Sequence, residues 1–239
     1  MKTIVIIPAR LESKRLTEKP LIKIQGISLI HRVYNRIKKC KSKLDIVVAT
    51  DSYKIAEHVK SFDGKFILTS NKHISGTDRC NEALQSLKEK YDLVINVQGD
   101  EPIINPKIID DLINKFQLEN DEIVSVAKPI TDLDVIDDIN IVKVEFNSNM
   151  LAKRFYRKSN NTEITSAFKH YGIYAFKPII LNEICSLPPT ANELNYKLEQ
   201  LRWLENKYKI RIIKTNYNSV SIDTEEDIEF LLQNFSNEL

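Results

Sequence analysis

A run of amide and acidic side chains after a predicted strand is the part of this sequence best suited to chemistry. Gln98, Gly99, Asp100 and Glu101 follow the apolar run at residues 93–95. In open α/β sheets, ligands collect at the carboxyl ends of the strands, which is where these side chains would lie. Asp100 is therefore a candidate ligand for Mg²⁺, which proteins hold by one or two carboxylates together with substrate phosphates. A plain polar turn after the strand remains the alternative.

The loop after the first predicted strand carries an unusual concentration of positive charge. Arg10, Lys14, Arg15 and Lys19 lie within ten residues of one another. Four cations at the rim of a sheet suit the binding of a polyphosphate. The loop contains no glycine, so it is neither a Walker loop nor a dinucleotide fingerprint. A solvated charged loop is the alternative.

Several other polar positions allow two interpretations each. The Ser-Gly-Thr-Asp-Arg segment at residues 75–79 precedes a predicted helix, so it either caps that helix or offers N–H groups to an anion or a base edge. Asp223 either caps the last helix or supplies a second metal-binding carboxylate. His170, alone at the start of a strand, is more often structural than catalytic. Glu199 and Arg202 form an (i, i+3) pair, for which a surface salt bridge is the simplest role.

The spacing of apolar residues predicts an α/β protein. In the first half, continuous apolar runs, typical of strands buried on both faces, alternate with helical spacing. The predicted strands are residues 3–8, 45–50, 65–69 and 92–97, and the predicted helices are residues 28–40, 78–91 and 106–116, with a further helix after a cap at residues 51–52. This β-α-β rhythm predicts right-handed crossovers and a mostly parallel sheet.

The second half is richer in strands and predicts an appended mixed or antiparallel part. Its predicted strands are residues 123–130, 141–146, 170–176 and 209–215. One long helix is predicted over residues 193–206, and a final helix opens at residues 224–227 with an acidic first turn that suits its dipole. No clean domain boundary is visible, so the chain is predicted to be one domain over residues 1–239.

Composition excludes several classes of protein. The 239 residues are 42% hydrophobic, enough for a full core, and the net charge of +2 shows no bias toward nucleic acid or membrane. Three scattered cysteines fit neither a disulfide framework nor a metal knuckle. No apolar run reaches the length of a membrane helix, and the chain begins without a signal-peptide pattern. A cytoplasmic protein is the expectation.

Taken together, the chemistry-bearing segments resemble one family, the 3-deoxy-manno-octulosonate (Kdo) cytidylyltransferases of lipopolysaccharide synthesis. The resemblance runs from residue 3 to about residue 231, and ten short motifs in register make it specific. The motifs lie at residues 7–10, 15–16, 19–21, 48–51, 75–79, 96–102, 142–144, 169–174, 198–202 and 223–224.

The resemblance implies a Rossmann-like nucleotidyltransferase fold of the glycosyltransferase-A type, a three-layer α/β/α arrangement with a mixed sheet, and usually a homodimer. It implies the reaction of CTP with Kdo to give CMP-Kdo and pyrophosphate, assisted by Mg²⁺. Residues 1–120 would mainly bind CTP, and residues 121–239 would mainly bind the sugar and the dimer partner. No nucleic acid or membrane partner is expected.

The resemblance also implies a role for each candidate residue. The catalytic set would be Arg10, Lys19, Asp100 and Asp223, of which Asp100 and Asp223 would bind the metal. The CTP-binding residues would be Ala9, Arg10, Arg15, Lys19, Ser75, Gly76, Thr77, Arg79 and Gln98. The sugar would face Gln98, Arg157, His170, Tyr174, Glu193 and Gln200.

The chain departs from the family pattern where the sugar and the triphosphate are expected. Thr17 and Glu18 replace the usual Pro-Gly, and Glu18 adds a negative charge beside Lys19, which would lower triphosphate affinity. The usual Phe-Ser-Arg is Phe-Tyr-Arg at residues 155–157, with no Ile-Pro after it, and Tyr196 stands where an acid is usual. Two alternatives therefore stay open: another acidic keto sugar, such as 8-amino-Kdo or a sialic-type acid, and a sugar-nucleotide-binding protein without turnover.

Overall fold

A nine-stranded mixed sheet organises the protein. The computed structural model describes residues 1–13, 15–119, 121–131, 138–158 and 167–239, without the side chains of residues 118 and 119. The strands are β1 (Thr3–Ala9), β2 (Lys23–Ile24), β3 (Ile27–Ser28), β4 (Asp45–Thr50), β5 (Phe66–Leu68), β6 (Leu93–Asn96), β7 (Ile123–Ile130), β8 (Lys143–Phe146), β9 (Ala152–Tyr156), β10 (Ala167–Phe176) and β11 (Ile210–Lys214).

Eight α-helices accompany these strands in the described part of the chain. They are α1 (Leu29–Ile37), α2 (Tyr53–Lys60), α3 (Gly76–Ser86), α4 (Pro106–Glu119), α5 (Pro178–Ser186), α6 (Ala191–Tyr196), α7 (Glu199–Glu205) and α8 (Glu225–Phe235). The predicted elements of the first half are all present, with ends shifted by a few residues. Helix α5 and strands β2, β3 and β9 have no counterpart in the sequence prediction.

The sheet order β11-β7-β10-β6-β1-β4-β5 joins both halves of the sequence. Strands β6, β1, β4 and β5 are parallel, whereas β10 is antiparallel to β6, β7 and β8, and β8 is antiparallel to β9. A separate small antiparallel sheet pairs β2 with β3. The predicted mixed α/β fold with an antiparallel part is therefore confirmed.

The apolar runs are buried because both faces of the sheet are covered. Along β1, Val5 and Ile7 belong to one core cluster, and Ile4 and Ile6 belong to a second cluster on the opposite face. Alternate side chains of a strand point to opposite faces, so a strand covered on both sides has to be apolar throughout. A third, smaller cluster packs the first loop and α8 against the body through Leu16, Leu29, Ile103, Ile222 and Leu231.

The prediction of a single helix over residues 193–206 is wrong. The chain forms α6 and α7 instead, separated at Lys197, which has the left-handed backbone conformation φ 55°. Helix α6 is short and closed at its start by a capping box between Thr190 and Glu193. Leu194, one of the apolar residues whose spacing predicted the long helix, is exposed. Uniform helical spacing of apolar residues cannot reveal such a break.

Two expectations drawn from composition can be compared with the fold directly. All three cysteines are free thiols. Within the described residues, none of the helices combines the length and the apolarity that crossing a bilayer requires.

Candidate active site

A cavity of about 820 Å³ opens at the carboxyl ends of β1 and β6, where the sequence predicted a ligand site. It brings together most of the predicted nucleotide-binding residues and both predicted metal ligands. Its lining residues are Pro8, Ala9, Arg10, Ser13, Arg15, Lys19, Pro20, His73, Ile74, Ser75, Gly76, Arg79, Gln98, Gly99, Asp100, Lys197 and Asp223. Lys14, a member of the predicted phosphate loop, lies outside the described residues.

Two glycines allow the cavity wall to form. A Cβ atom on Gly76 would come within 3.0 Å of the Pro8 ring, and one on Gly99 would come within 3.2 Å of the Pro8 carbonyl oxygen. A side chain at either position would push the start of α3 or the turn after β6 away from the end of β1 by a few tenths of an ångström. Ser75 caps α3 by accepting a hydrogen bond from the Asp78 N–H.

The charged centre of the cavity is an ion-pair network around Lys19. The Lys19 ammonium donates to Asp100 Oδ2 at 2.6 Å and to Asp223 Oδ1 at 3.1 Å. Arg15 Nη2 pairs with Asp223 Oδ2 at 2.9 Å. Burial by itself would lower the pKa of Lys19, but the two carboxylates raise this pKa above its ordinary value, so Lys19 stays charged. The cavity thus holds two cations and two carboxylates in one connected group.

Asp223 reaches this centre because it does not cap the last helix. Thr224 is the N-cap of α8 and forms a capping box with Asp227, whose carboxylate also accepts the Asp223 N–H. The Ile222 N–H donates to the Asp100 carbonyl oxygen at 3.0 Å, which ties the two acidic loops together. The Asp223 carboxylate therefore lies beside Asp100 and does not cap α8, which leaves it placed as the second candidate metal ligand.

Asp100 and Asp223 suit a magnesium site in which the protein supplies two carboxylates and the substrate supplies further ligands. Both offer hard carboxylate oxygens, and both contact the same Lys19 ammonium, so they face a common space. Across the described ranges, no group of three or more histidine, cysteine, aspartate or glutamate side chains could hold a metal by itself. Two carboxylates completed by substrate phosphates is the pattern typical of Mg²⁺ in phosphoryl-transfer sites.

Glu101 lies behind Asp100 and is fully buried. The Ser219 hydroxyl donates to Glu101 Oε2, and the Lys169 ammonium donates to the Ser219 carbonyl oxygen at 3.4 Å. Burial, together with the neighbouring Asp100 carboxylate, raises the pKa of Glu101 to about 8. Glu101 therefore braces the loop that carries Asp223 and does not face the cavity.

Three predicted nucleotide contacts are already engaged with protein groups. Gln98 lines the cavity, with its amide nitrogen donating to the Asn96 side chain and to the Gly172 carbonyl oxygen, at 3.2 and 3.3 Å. Arg79 also lines it, but its guanidinium is buried and paired with Asp51 at 2.7 Å. Thr77 does not line the cavity: it is buried and donates to Glu199 at 3.0 Å. Arg79 and Thr77 therefore hold the start of α3 in place.

The structure brings only Gln98 of the predicted sugar-facing residues to the cavity. His170 is buried against Ser125 Oγ at 2.8 Å, and Gln200 donates to the hydroxyl of the buried Tyr174. Glu193 is engaged in the capping box of α6 and in an ion pair with Arg202 at 3.2 Å. The other charged member, Arg157, donates to the carbonyl oxygens of Ile139 and Asn140, both at 3.1 Å.

The sugar-facing roles of these residues stay predictions, although five of the six lie outside the cavity lining. Strand β10 alternates its side chains, and the register shift between Tyr171 and Tyr174 turns the Gly172 carbonyl toward Gln98 while His170 and Tyr174 point into the core. The neighbouring α7 presents Gln200 to the same core. Cavity residues that the sequence did not single out include His73, Ile74 and Lys197. The break before α7, which exposes Lys197, had no signal in the apolar spacing.

Glu18 does not face the cavity, although the sequence predicted that its charge would weaken triphosphate binding there. It has the left-handed conformation φ 53°, and both of its carboxylate oxygens accept from the Lys54 ammonium at 2.6 Å. Glu18 is absent from the cavity lining. Its charge is therefore matched by Lys54 on α2, and the expected loss of triphosphate affinity has no geometric basis.

A Glu18→Gln variant is accordingly expected to keep its KM for CTP within about twofold of the original value, because exposed ion pairs remote from a ligand contribute little. Initial rates at varied CTP concentration check this. A KM lowered severalfold in the variant would show that the Glu18 charge does reach the triphosphate.

Because His170 is buried, the stability of the folded protein is expected to depend on pH. Burial lowers the pKa of His170 to about 3, whereas the unfolded chain has the ordinary value of 6.5. Between these values the unfolded state binds a proton that the folded state does not, so stability falls as the pH falls from about 6.5, by at most about 1.4 kcal/mol per pH unit.

Urea denaturation at a series of pH values measures this slope. His170→Gln, which keeps an amide for Ser125 and cannot titrate, is expected to show a shallower acid slope than the parent protein. His31 and His58, whose pKa values are also lowered mainly by burial, contribute equally to both proteins. Equal slopes would mean that His170 titrates normally in the folded state.

Comparison with known proteins agrees with the geometry. The sequence matches the model of the cytidylyltransferase family over residues 4–211. It is 41% identical to the 3-deoxy-manno-octulosonate cytidylyltransferase of Parabacteroides distasonis, over 99% of both chains. It is also 41% identical to the 8-amino-3,8-dideoxy-manno-octulosonate cytidylyltransferase of Shewanella putrefaciens, over 95% of this chain and 96% of that one.

A solved structure extends the agreement to three dimensions. The CMP:2-keto-3-deoxy-manno-octonic acid synthetase complexed with CTP superposes with a TM-score of 0.92 at 32% identity, covering 100% of both chains. A glucose-1-phosphate thymidylyltransferase from Bacillus anthracis, at 16% identity and a TM-score of 0.68, shares the fold. By its family match, its relatives and its cavity, the chain belongs to the 3-deoxy-manno-octulosonate cytidylyltransferase family of nucleotidyltransferases.

Proposed function

We propose that this enzyme transfers the cytidylyl group of CTP to Kdo, giving CMP-Kdo and pyrophosphate for lipopolysaccharide or capsule synthesis. The observation that carries the proposal is one cavity in which the first-loop cations meet Asp100 and Asp223 at the carboxyl ends of two parallel strands. A relative that superposes over its whole length was solved with CTP, and curated relatives are named for Kdo.

The reaction needs positioning and charge neutralisation rather than covalent work by the protein. The anomeric hydroxyl oxygen of the sugar forms a bond to the α-phosphorus, and the bond from that phosphorus to the oxygen bridging the α- and β-phosphates breaks. Pyrophosphate leaves with the electron pair, and the hydroxyl proton is released. Arg10, Arg15 and Lys19 would hold the triphosphate in line and stabilise the charge on the leaving group.

Asp100 and Asp223 are the proposed ligands of Mg²⁺. When bound, this ion would supply positive charge at the phosphate oxygens and a fixed point for their orientation. The chain's own contribution is to keep the two carboxylates facing each other, through the backbone bond between Ile222 and Asp100 and through the Ser219–Glu101 contact behind them. Lys19, paired to both carboxylates, keeps their charges from repelling each other.

The nucleoside would lie against the start of α3. Ser75 and Gly76 line the cavity there, beside Ala9 and Gln98. Backbone N–H groups and an amide side chain offer the hydrogen bonds that a cytosine edge can use. Within this proposal Thr77 and Arg79 act indirectly, because their contacts to Glu199 and Asp51 fix the position of α3.

The identity of the sugar is a separate part of the proposal, because a Kdo enzyme and an 8-amino-Kdo enzyme are both 41% identical to this chain. A pyrophosphate-release assay with CTP and a panel of keto sugars tests it. We expect the highest kcat/KM with Kdo. Turnover confined to 8-amino-Kdo or to a sialic-type acid would replace Kdo as the substrate, and CTP binding without pyrophosphate release from any sugar would contradict turnover altogether.

Three further features of the protein stay predictions. A homodimer and a cytoplasmic location follow from the resemblance and the composition, and sedimentation analysis would test the first. The division into a nucleotide half and a sugar half is a third prediction. Most cavity residues come from the first 100 residues, which agrees with that division.

A further inference from the structure

Lys197 brings a cation from the second half of the chain to the cavity wall. Of the described residues between 121 and 222, it is the only one that lines the cavity. It stands at the junction of α6 and α7, on a surface otherwise formed by residues of the first half and by Asp223. Lys197 is thus the only described residue of this range that can contact a ligand in the cavity.

The position of Lys197 is fixed by its backbone. Its φ of 55° ends α6, and its N–H donates to the carbonyl oxygen of Glu193. Glu193 is in turn held by the capping box with Thr190 and by the ion pair with Arg202. Through these contacts Glu193 holds the turn that carries Lys197.

The charge of Lys197 is not committed elsewhere in the described part of the chain. Lys19 is paired with Asp100 and Asp223, and Arg15 is paired with Asp223, whereas no described carboxylate pairs with Lys197. The side chain is exposed and places its ammonium at the cavity wall. A lysine in this setting serves as a point charge for an anionic group of a ligand.

We propose that Lys197 binds the carboxylate of the acceptor sugar. This inference rests on the proposed function, in which the acceptor is a keto acid. Arg157, another cation among the residues predicted to face the sugar, does not line the cavity, and its guanidinium donates to backbone carbonyl groups. Lys197 is thereby a specificity-determining residue for acidic acceptors, and it contributes nothing to bond making.

The test compares steady-state constants for CTP and for Kdo in Lys197→Asn, Lys197→Arg and a matched control. Asparagine tolerates the left-handed backbone of this position, so the variant removes the charge without straining the α6–α7 junction. Lys207→Asn is the control: Lys207 is exposed, has φ 71° at the end of α7 and does not line the cavity.

We expect Lys197→Asn to raise KM for Kdo about tenfold, the size of one charge-assisted contact, and to leave KM for CTP within about twofold. Lys197→Arg should recover most of the loss, and Lys207→Asn should match the parent protein. The methyl ester of Kdo lacks the carboxylate charge. With this ester the KM of the parent protein should rise, whereas the KM of Lys197→Asn should be the same for the ester as for Kdo.

Three outcomes would overturn the inference: an unchanged KM for Kdo, a rise in KM for CTP instead, or an equal effect of Lys207→Asn. Any of these in a protein that turns over CTP and Kdo leaves the proposed function intact. If the parent protein binds CTP but transfers nothing to Kdo, the proposed function fails first, and the role of Lys197 fails with it.

Discussion

Asp100→Asn is expected to lower kcat for CMP-Kdo formation by on the order of a hundredfold or more, the scale of a disrupted metal-site contact. Asparagine has nearly the same shape but provides no negative charge for Mg²⁺, and it leaves the Lys19 ammonium with Asp223 alone. Steady-state rates at saturating CTP and Kdo measure the effect, and Mn²⁺ binding followed by electron paramagnetic resonance reports on the site without turnover.

Asp63→Asn is the matched control for this substitution. Asp63 is exposed and has a left-handed backbone that asparagine tolerates, and it lies outside the cavity lining. The control should retain full activity, and both variants should unfold near the parent melting temperature. Near-normal turnover in Asp100→Asn with unchanged Mn²⁺ binding would contradict the metal role of Asp100.

Lys19→Met is expected to lower kcat/KM for CTP by about a hundredfold, because charge-assisted contacts of this type contribute about 1.5–3 kcal/mol each. The substitution removes a cation from the triphosphate and also leaves Asp100 and Asp223 facing each other without it. Since Lys19 and Asp100 share one network, the double variant with Asp100→Asn should cost less than the two single effects added together.

Lys65→Met provides the comparison for Lys19. Lys65 forms an exposed pair with Asp45 at 3.5 Å, and neither residue lines the cavity. Its removal should change kcat/KM by less than about twofold, as expected for an exposed pair. Additive effects of Lys19→Met and Asp100→Asn would show that the two residues act independently.

Local sequence patterns were sufficient for the parallel half of the fold. Runs such as Val5 to Ile7 are apolar on both faces, which is typical of a strand in the middle of a covered parallel sheet. The alternating helices then force right-handed crossovers, which bring the ends of β1 and β6 to one rim. The loops that follow those strands had to meet there, so Arg10 and Asp100 could be assigned to one site.

The acceptor side could not be predicted in the same way. Whether Tyr174 and Gln200 point to the cavity or to the core depends on the register of β10 and on the junction of α6 and α7, and both are set by tertiary packing. A left-handed residue such as Lys197 leaves no trace in apolar spacing. The contact between Glu18 and Lys54 was missed for a related reason, because the two residues are distant in sequence.

Transfer of label from [α-³²P]CTP to Kdo is the most direct test of the central claim that this cavity joins a cytidylyl group to an acidic keto sugar. With Mg²⁺ present, we expect the label to leave CTP and to appear in a product that is CMP-Kdo by mass, with one pyrophosphate released per molecule formed. Label that stays in CTP with Kdo and with every other keto sugar, in a folded protein that binds CTP, would contradict it.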